Sequence, residues 1–243
     1  MRDWIFKMTT CRSERLFLFD IDGTILSTNH SGYRSFVRSC RDVLGLVGPI
    51  DGIHMAGKLD RVIFEEIVAA YRPDLSNGDL LPYWEKFREG YITYLKKESL
   101  TPKDWVLYPG VRELVESAKT LGCLALLTGN VREGALIKLG TLDMARYFPT
   151  GGFGETSITR NELSDLAYKE ACRHFGVEFA PGRTAVIGDT VRDVRAGQAI
   201  GARTLAVATG TVSFEELVAS GADLVVRDFL SGRDEVEKFL TGL

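Results

Sequence analysis

The stretch Leu16 to Leu26 reads Leu-Phe-Leu-Phe-Asp-Ile-Asp-Gly-Thr-Ile-Leu, and it constrains the fold more than any other part of the chain. Four consecutive apolar residues without polar alternation describe a short strand covered on both faces, the situation of a strand inside a parallel sheet. The run stops at Asp20, and a second acid follows at Asp22. Two carboxylates directly after a buried strand stand at the carboxyl edge of the sheet, where open α/β folds bind ligands. Gly23 lets the chain turn away at once. The fold class predicted is α/β, a Rossmann-like parallel sheet core flanked by helices.

Other short apolar runs also end in polar groups. Cys123 to Leu127 leads into Thr128-Gly129-Asn130, and Thr184 to Ile187 leads into Gly188-Asp189-Thr190-Val191-Arg192-Asp193. Arg203 to Ala208 reads as a further strand and Asp223 to Val226 as an edge strand. Helices fit between them. Pro109-Gly110 and Gly122 bound one over Val111 to Leu121. Asn130 is expected to cap the next, with Glu133 completing a box-like pattern. Thr159-Arg160-Asn161-Glu162 has capping-box spacing and opens a helix running to Gly176. A helix start at Thr128, Gly129 and Asn130 would present a hydroxyl and free backbone N–H groups, which suits a phosphate.

Between the first strand and the second, the texture changes to helical spacing. Tyr33, Phe36, Val37, Cys40, Val43 and Leu44 form one stripe, and Val62, Ile63, Ile67, Val68 and Tyr71 a second. Trp84, Phe87, Tyr91, Tyr94 and Leu95 belong to a third. Residues 27–105 are therefore expected as an inserted helical bundle with its aromatic stripe inside. The sheet core comprises 16–26 and 106–243, and 1–15 form an N-terminal extension. Two adjacent linkers would let the insertion act as a lid.

The balance of 33 acids and 30 bases gives no electrostatic reason to bind nucleic acid or an anionic membrane. Apolar runs fall short of the roughly 18 residues that a spanning helix needs. The four cysteines form no CxxC pattern, which fits reduced thiols in a cytoplasmic protein. Gly151-Gly152-Phe153-Gly154 lacks the third glycine of a dinucleotide fingerprint, and no Walker-type GxxxxGK occurs.

Asp20-Ile21-Asp22-Gly23-Thr24 resembles the DxDGT motif of the haloacid dehalogenase (HAD) superfamily, and Gly188-Asp189-Thr190-Val191-Arg192-Asp193 resembles its GDxxxD motif. The resemblance covers nearly all of Leu16 to Leu243 and is strongest to the phosphoglycolate phosphatase-like branch. It implies that the helical insertion is a cap of the first type. It also implies that Asp20 is a nucleophile forming an aspartyl-phosphate and that Asp22 is the general acid and base. Thr128 and a downstream cation would hold the phosphoryl oxygens. Dehalogenases of the superfamily lack the second aspartate, so Asp22 favours phosphate esters over haloacids.

Two residues compete for the cation. The helix after Thr159 runs antiparallel to its strands, so its N-terminus lies at the ligand edge. Lys169 sits about 13 Å further down that helix, which selects Arg160. Clustered Asp20, Asp22 and Asp189 cannot all stay ionised without a cation. Oxygen ligands beside a phosphate point to Mg²⁺, and the superfamily adds the main-chain carbonyl of Asp22 as a ligand. Asp193 fits either behind these ligands or as a capping partner of Thr190. In the insertion, Lys58 and His54 are candidates for meeting the substrate, on a loop similar to the Gly-x-Thr-Asp loop of one cap subgroup with Leu59 in the threonine position.

The expected activity is Mg²⁺-dependent hydrolysis of a small phosphorylated metabolite, phosphoglycolate-like or a sugar phosphate, by a monomer or homodimer. A sugar-phosphate mutase and a non-catalytic phosphometabolite sensor are the alternatives.

Overall fold

The computed structural model describes residues 13–76, 78–155 and 159–243. The first twelve positions of the expected N-terminal extension lie outside the described residues. The apolar run at the start becomes β1 (Leu16–Phe19), every residue of which is buried. Its side chains split between two faces. Phe17 and Phe19 pack into one core cluster with Val115, Phe148 and Leu240, whereas Leu16 and Leu18 pack into another with Leu163, Ala167 and Phe179. Both faces are covered, so no polar alternation appears.

After a two-residue β2 (Leu26–Ser27) the chain enters α1 (Ser31–Leu44), α2 (Asp60–Tyr71) and α3 (Leu81–Ser99), and it returns through β3 (Val106–Leu107). β2 and β3 pair antiparallel, with Leu26 opposite Leu107, so the two linkers of the insertion are tied together as a small ribbon. Inside the insertion Phe36, Phe64, Trp84, Phe87 and Tyr91 form a shared core. Phe87 lies 4.5 Å from Phe36 and 5.0 Å from Phe64 between ring centroids. Each such side chain contributes roughly 1.5–3 kcal/mol by leaving water.

The core then alternates helix and strand: α4 (Val111–Leu121), β4 (Cys123–Leu127), α5 (Arg132–Thr141), β5 (Gly151–Gly152), α6 (Arg160–Phe175), β6 (Thr184–Gly188), α7 (Val191–Ala199), β7 (Arg203–Val207), α8 (Phe214–Ala219), β8 (Leu224–Val226) and α9 (Arg233–Thr241). The six-stranded sheet has the order β5-β4-β1-β6-β7-β8 and is parallel throughout. β1 lies between β4 and β6, with Phe19 opposite both Leu126 and Ile187. The strands ending before Asp20, Thr128 and Asp189 are therefore neighbours, and their carboxyl ends form a switch-point crevice.

The edge strand β5 is absent from the sequence reading. A Cβ at Gly151 would stand 2.6 Å from the Leu126 side chain, so glycine serves close approach there and carries no apolar signature. Cys40 and Cys172 are free, whereas Cys123 is disulfide-bonded, contrary to the expectation of reduced thiols. Among the described residues no helix is long and apolar enough to cross a membrane.

Candidate active site

Asp20 follows β1 directly, its N–H donating to the Ile187 carbonyl at 2.9 Å. That bond continues the sheet by one residue and delivers the carboxyl beside Asp189, at the end of β6. Thr24 donates its hydroxyl to Asp189 Oδ1 at 3.1 Å. Between them the chain turns at Gly23, whose φ of 85° is left-handed and whose missing Cβ would fall 2.2 Å from Asp189 Oδ2. Only glycine allows Asp189 to approach this turn. Oxygens of Asp20, Asp189 and Asp193 lie within 4.8 Å of one another.

This clustering perturbs protonation. Burial pushes Asp20 up to about 6, against the pull of Arg160, with Asp193 and Asp22 adding repulsion. Burial also holds Asp189 well above the usual carboxylate range, and Asp193 and Asp20 reinforce it. Asp193 is itself engaged: its Oδ2 accepts the Thr190 N–H at 3.1 Å and the Thr190 hydroxyl at 2.7 Å, completing the capping box of α7. Asp20 and Asp189 therefore offer the freer oxygens. A buried oxygen-only donor set of this kind fits a hard divalent cation such as Mg²⁺.

The cation facing these acids is Arg160, at the first position of α6 behind the Thr159–Glu162 capping box. Its Nη2 lies 3.1 Å from Asp20 Oδ1, donates to the Leu127 carbonyl at 3.0 Å and makes a short bond to Asp193 Oδ1. Burial opposes its charge, but Asp193 and Asp20 outweigh that and hold it protonated. The Arg160 Nε–H is buried without a protein partner among the described residues. Lys169 pairs instead with Asp165 on the surface, at 2.6 Å.

Asp22 has its own partners. Lys138 Nζ reaches its Oδ1 at 2.8 Å and its Oδ2 at 2.6 Å, and Asn130 Nδ2 donates to Oδ2 at 2.7 Å. Asn130 does not cap α5 as its sequence position suggests. Val131 is the N-cap, its N–H donating to Asp60 Oδ2 at 2.8 Å, and the Arg132 N–H donates to Glu155 Oε2 at 2.7 Å. Of the amides expected open at this helix start, the Thr128 N–H donates to the Gly152 carbonyl at 3.1 Å and the Asn130 N–H to Thr128 Oγ1 at 3.3 Å, and those of Val131 and Arg132 beyond them are occupied as well. The Asn130 side chain turns to Asp22 and to Thr128 Oγ1 at 2.8 Å, and Thr128 is wholly buried. Gly129 is pressed against the insertion: its carbonyl accepts the Asp60 N–H at 2.8 Å, and a Cβ there would lie 2.0 Å from the Lys58 carbonyl.

A cleft of about 520 Å³ opens over these groups, with Asp20, Asp22, Asp189 and Arg160 in its core wall and Phe36 and Tyr91 facing them from the insertion. Lys58 lines it, although its Nζ is paired with Glu66 at 2.6 Å. His54 does not line the cleft: it is exposed on the loop before α2, while Met55, Ala56, Gly57 and Lys58 turn inward. Sequence reasoning missed Lys138, Asp60 and Thr24. Lys138 had a readable signal, since it shares the buried face of α5 with Ala135 and Leu139, where an unpaired lysine would be costly.

Residues 14–201 match the family described as haloacid dehalogenase-like hydrolase. Among curated relatives, the chain is 27% identical over 233 residues to a protein named phosphoglycolate phosphatase of Agrobacterium fabrum, covering 91% of this chain and 92% of that protein. It is 26% identical over 214 residues to an N-acetylmuramic acid 6-phosphate phosphatase of Pseudomonas aeruginosa, covering 86% and 88%. Among solved structures, CbbY from Rhodobacter sphaeroides in complex with phosphate superposes with a TM-score of 0.66 at 20% identity, covering 90% of this chain and 96% of that one. A haloacid dehalogenase-like family hydrolase of Streptococcus pneumoniae gives 0.66 at 18%, covering 91% and 97%. Motifs, strand order and family match agree, and the chain belongs to the haloacid dehalogenase-like hydrolases.

Proposed function

We propose that this phosphatase-like hydrolase cleaves a small phosphate monoester through transient phosphorylation of Asp20, with Mg²⁺ as its cofactor. One observation carries the reading: Asp20 is buried at the end of the central strand, bridged by Arg160 and beside Asp189, while Asp22 stands two residues on at the cleft. Nothing in this arrangement resembles a structural ion pair alone, because burial holds both Asp20 and Asp189 above the usual carboxylate range, and Asp193 raises each of them further.

In the first half-reaction an Asp20 carboxylate oxygen attacks phosphorus. The bond to the ester oxygen breaks, its electron pair stays on that oxygen, and the proton of Asp22 transfers to it, releasing the alcohol. In the second, water attacks the aspartyl-phosphate, Asp22 takes the water proton, and Asp20 leaves with its electron pair. The net change is ester plus water to alcohol plus phosphate. Arg160 orients Asp20 and offers its Nε–H to a phosphoryl oxygen, and Thr128, buried just past β4, holds the Asn130 side chain that braces Asp22. Asp20, Asp189 and the main-chain carbonyl of Asp22 would hold Mg²⁺. When bound, Mg²⁺ would offset the negative charge of the carboxylates and of the transferring oxygens.

The relatives named as phosphatases of phosphoglycolate and of a phosphorylated sugar acid support a small soluble phosphorylated metabolite as substrate. The experiment is phosphate release from an aryl phosphate and from a panel of phosphorylated metabolites, with Mg²⁺ and with chelator, for wild type and Asp20→Asn. Metal-dependent release that disappears in Asp20→Asn is expected. Release that survives the substitution overturns the reading.

A further inference from the structure

Lys138 is the least expected charged group near the cleft. It lies on the core-facing side of α5 with only 5% of its side chain exposed, whereas the Asp22 carboxylate it meets is 43% exposed. An ammonium has three hydrogens, and Lys138 Nζ has three oxygen partners: Asp22 Oδ1 at 2.8 Å, Asp22 Oδ2 at 2.6 Å and Asn130 Oδ1 at 2.6 Å. Its donors are committed to protein oxygens, leaving none for a substrate.

Asn130 braces the same carboxylate from the side, donating to Asp22 Oδ2 at 2.7 Å and to Thr128 Oγ1 at 2.8 Å. From the insertion, Gly32 of α1 packs so closely that a Cβ there would lie 3.3 Å from the Lys138 Cε and Nζ atoms. Asp60, at the start of α2, is a second buried acid near Lys138, whose charge pulls against the burial of that carboxyl. The lysine is thus wedged among a core helix, two acidic side chains and α1 of the insertion.

We infer that Lys138 is a positioning residue for Asp22: it fixes both carboxylate oxygens from behind and aims them at the departing ester oxygen. A buried cation left without an anion is strongly unfavourable. The pair therefore persists through the motions of a half-exposed side chain, and Asp22 keeps one orientation. Proton delivery depends on that orientation, because a general acid must be within hydrogen-bond reach of the atom that it protonates. The inference rests on the phosphatase reading and deepens it. It assigns to a residue outside the DxDGT and GDxxxD motifs the alignment of the acid.

The test uses the leaving group. An alkyl phosphate needs its departing oxygen protonated, whereas a dinitrophenyl phosphate departs without help, so losing an aligned acid slows the first far more than the second. Lys138→Met is expected to lower kcat on an alkyl phosphate on the order of a hundredfold, within the range of general acid catalysis. The loss on the dinitrophenyl ester should be at least tenfold smaller, and KM should be nearly unchanged on both. In an Asp22→Asn background, Lys138→Met should cost nothing further, because a residue acting through another has no effect once that other is gone. Lys138→Arg should restore part of the alkyl phosphate rate, and thermal melting identifies variants that fold. If Lys138→Met is unfolded, Lys138→Gln and Lys138→Arg are compared in its place. Equal losses on the two esters, or a further loss in the Asp22→Asn background, overturn the positioning role alone. A wild type inactive on both esters, or unaffected by Asp20→Asn, overturns the phosphatase reading and this inference with it.

Discussion

The Asp60 carboxylate, at the first position of α2, accepts the Val131 N–H at the start of α5 across 71 residues of sequence, at 2.8 Å. The Asp60 N–H returns a bond to the Gly129 carbonyl, also at 2.8 Å. One residue of the insertion thereby caps a core helix and fastens the two parts together next to the site. Burial pushes Asp60 up to about 7, against the opposing pulls of Lys138 and the Val131 N–H.

A group protonated in the folded state and ionised in the unfolded state makes the folded state bind more protons, so stability falls as pH rises through that window. For Asp60 the window runs from about 4 to about 7. At about 1.4 kcal/mol per pH unit, the drop is on the order of 4 kcal/mol. Asp60→Asn keeps an oxygen for Val131 and removes the titration. Denaturant unfolding in chelator is expected to show wild type losing stability relative to Asp60→Asn between pH 4 and 7, with no further divergence above about 8. A constant difference across the range would contradict the burial of this carboxyl.

Arg160 and Lys169 share a helix but not an environment. Arg160→Ala leaves Asp20 and Asp193 without their buried counter-charge, a change of about 3–5 kcal/mol in stability or its equivalent in altered protonation. Phosphatase rate should fall with it. Lys169→Ala loses one exposed pair worth at most about 0.5 kcal/mol and should keep full activity. Rates and melting temperatures of the two variants check this, and equal losses would refute the placement of the phosphate-facing cation.

Metal binding should release protons, because burial raises the proton affinity of both Asp20 and Asp189, and a bound cation opposes it. Mg²⁺ is expected to raise the melting temperature of wild type, more at pH 7.5 than at pH 5.5, and to do neither in Asp189→Asn. Calorimetric titration in buffers of different ionisation enthalpy reads the proton release directly. An undiminished response in Asp189→Asn would place the cation elsewhere.

Gly23→Ala combines a left-handed φ with a clash against Asp189. Backbone strain alone costs about 1–3 kcal/mol, and displacing Asp189 should weaken Mg²⁺ binding as well. Stability and Mg²⁺ affinity measured on the same variant separate the two effects: a stability loss with unchanged affinity would mean that Asp189 does not ligate.

Within the insertion, Phe87 contacts four aromatic rings. Phe87→Ala should cost about 3–5 kcal/mol in denaturant unfolding, and a loss below about 1 kcal/mol would show that the bundle core repacks freely.

The sequence alone determined features whose causes lie within a few residues. A buried apolar run ending in Asp20, a capping box starting α6 at Arg160, and a glycine with left-handed φ in the turn just after Asp22 each follow from local sterics and hydrogen bonding. The antiparallel run of α6 then carried Arg160 toward Asp20 and Lys169 away from it. Tertiary structure decided which side chain satisfies which group across long separations. Asn130 has the residue type of a helix cap, yet Asp60 takes the Val131 amide, so Asn130 is turned to Asp22. His54 is carried to solvent by a loop whose neighbours turn inward. Lys138 meets Asp22 across 116 residues. Local propensity acts on a few neighbouring backbone groups, whereas pairing of buried charges is settled only when elements pack and water is excluded between them.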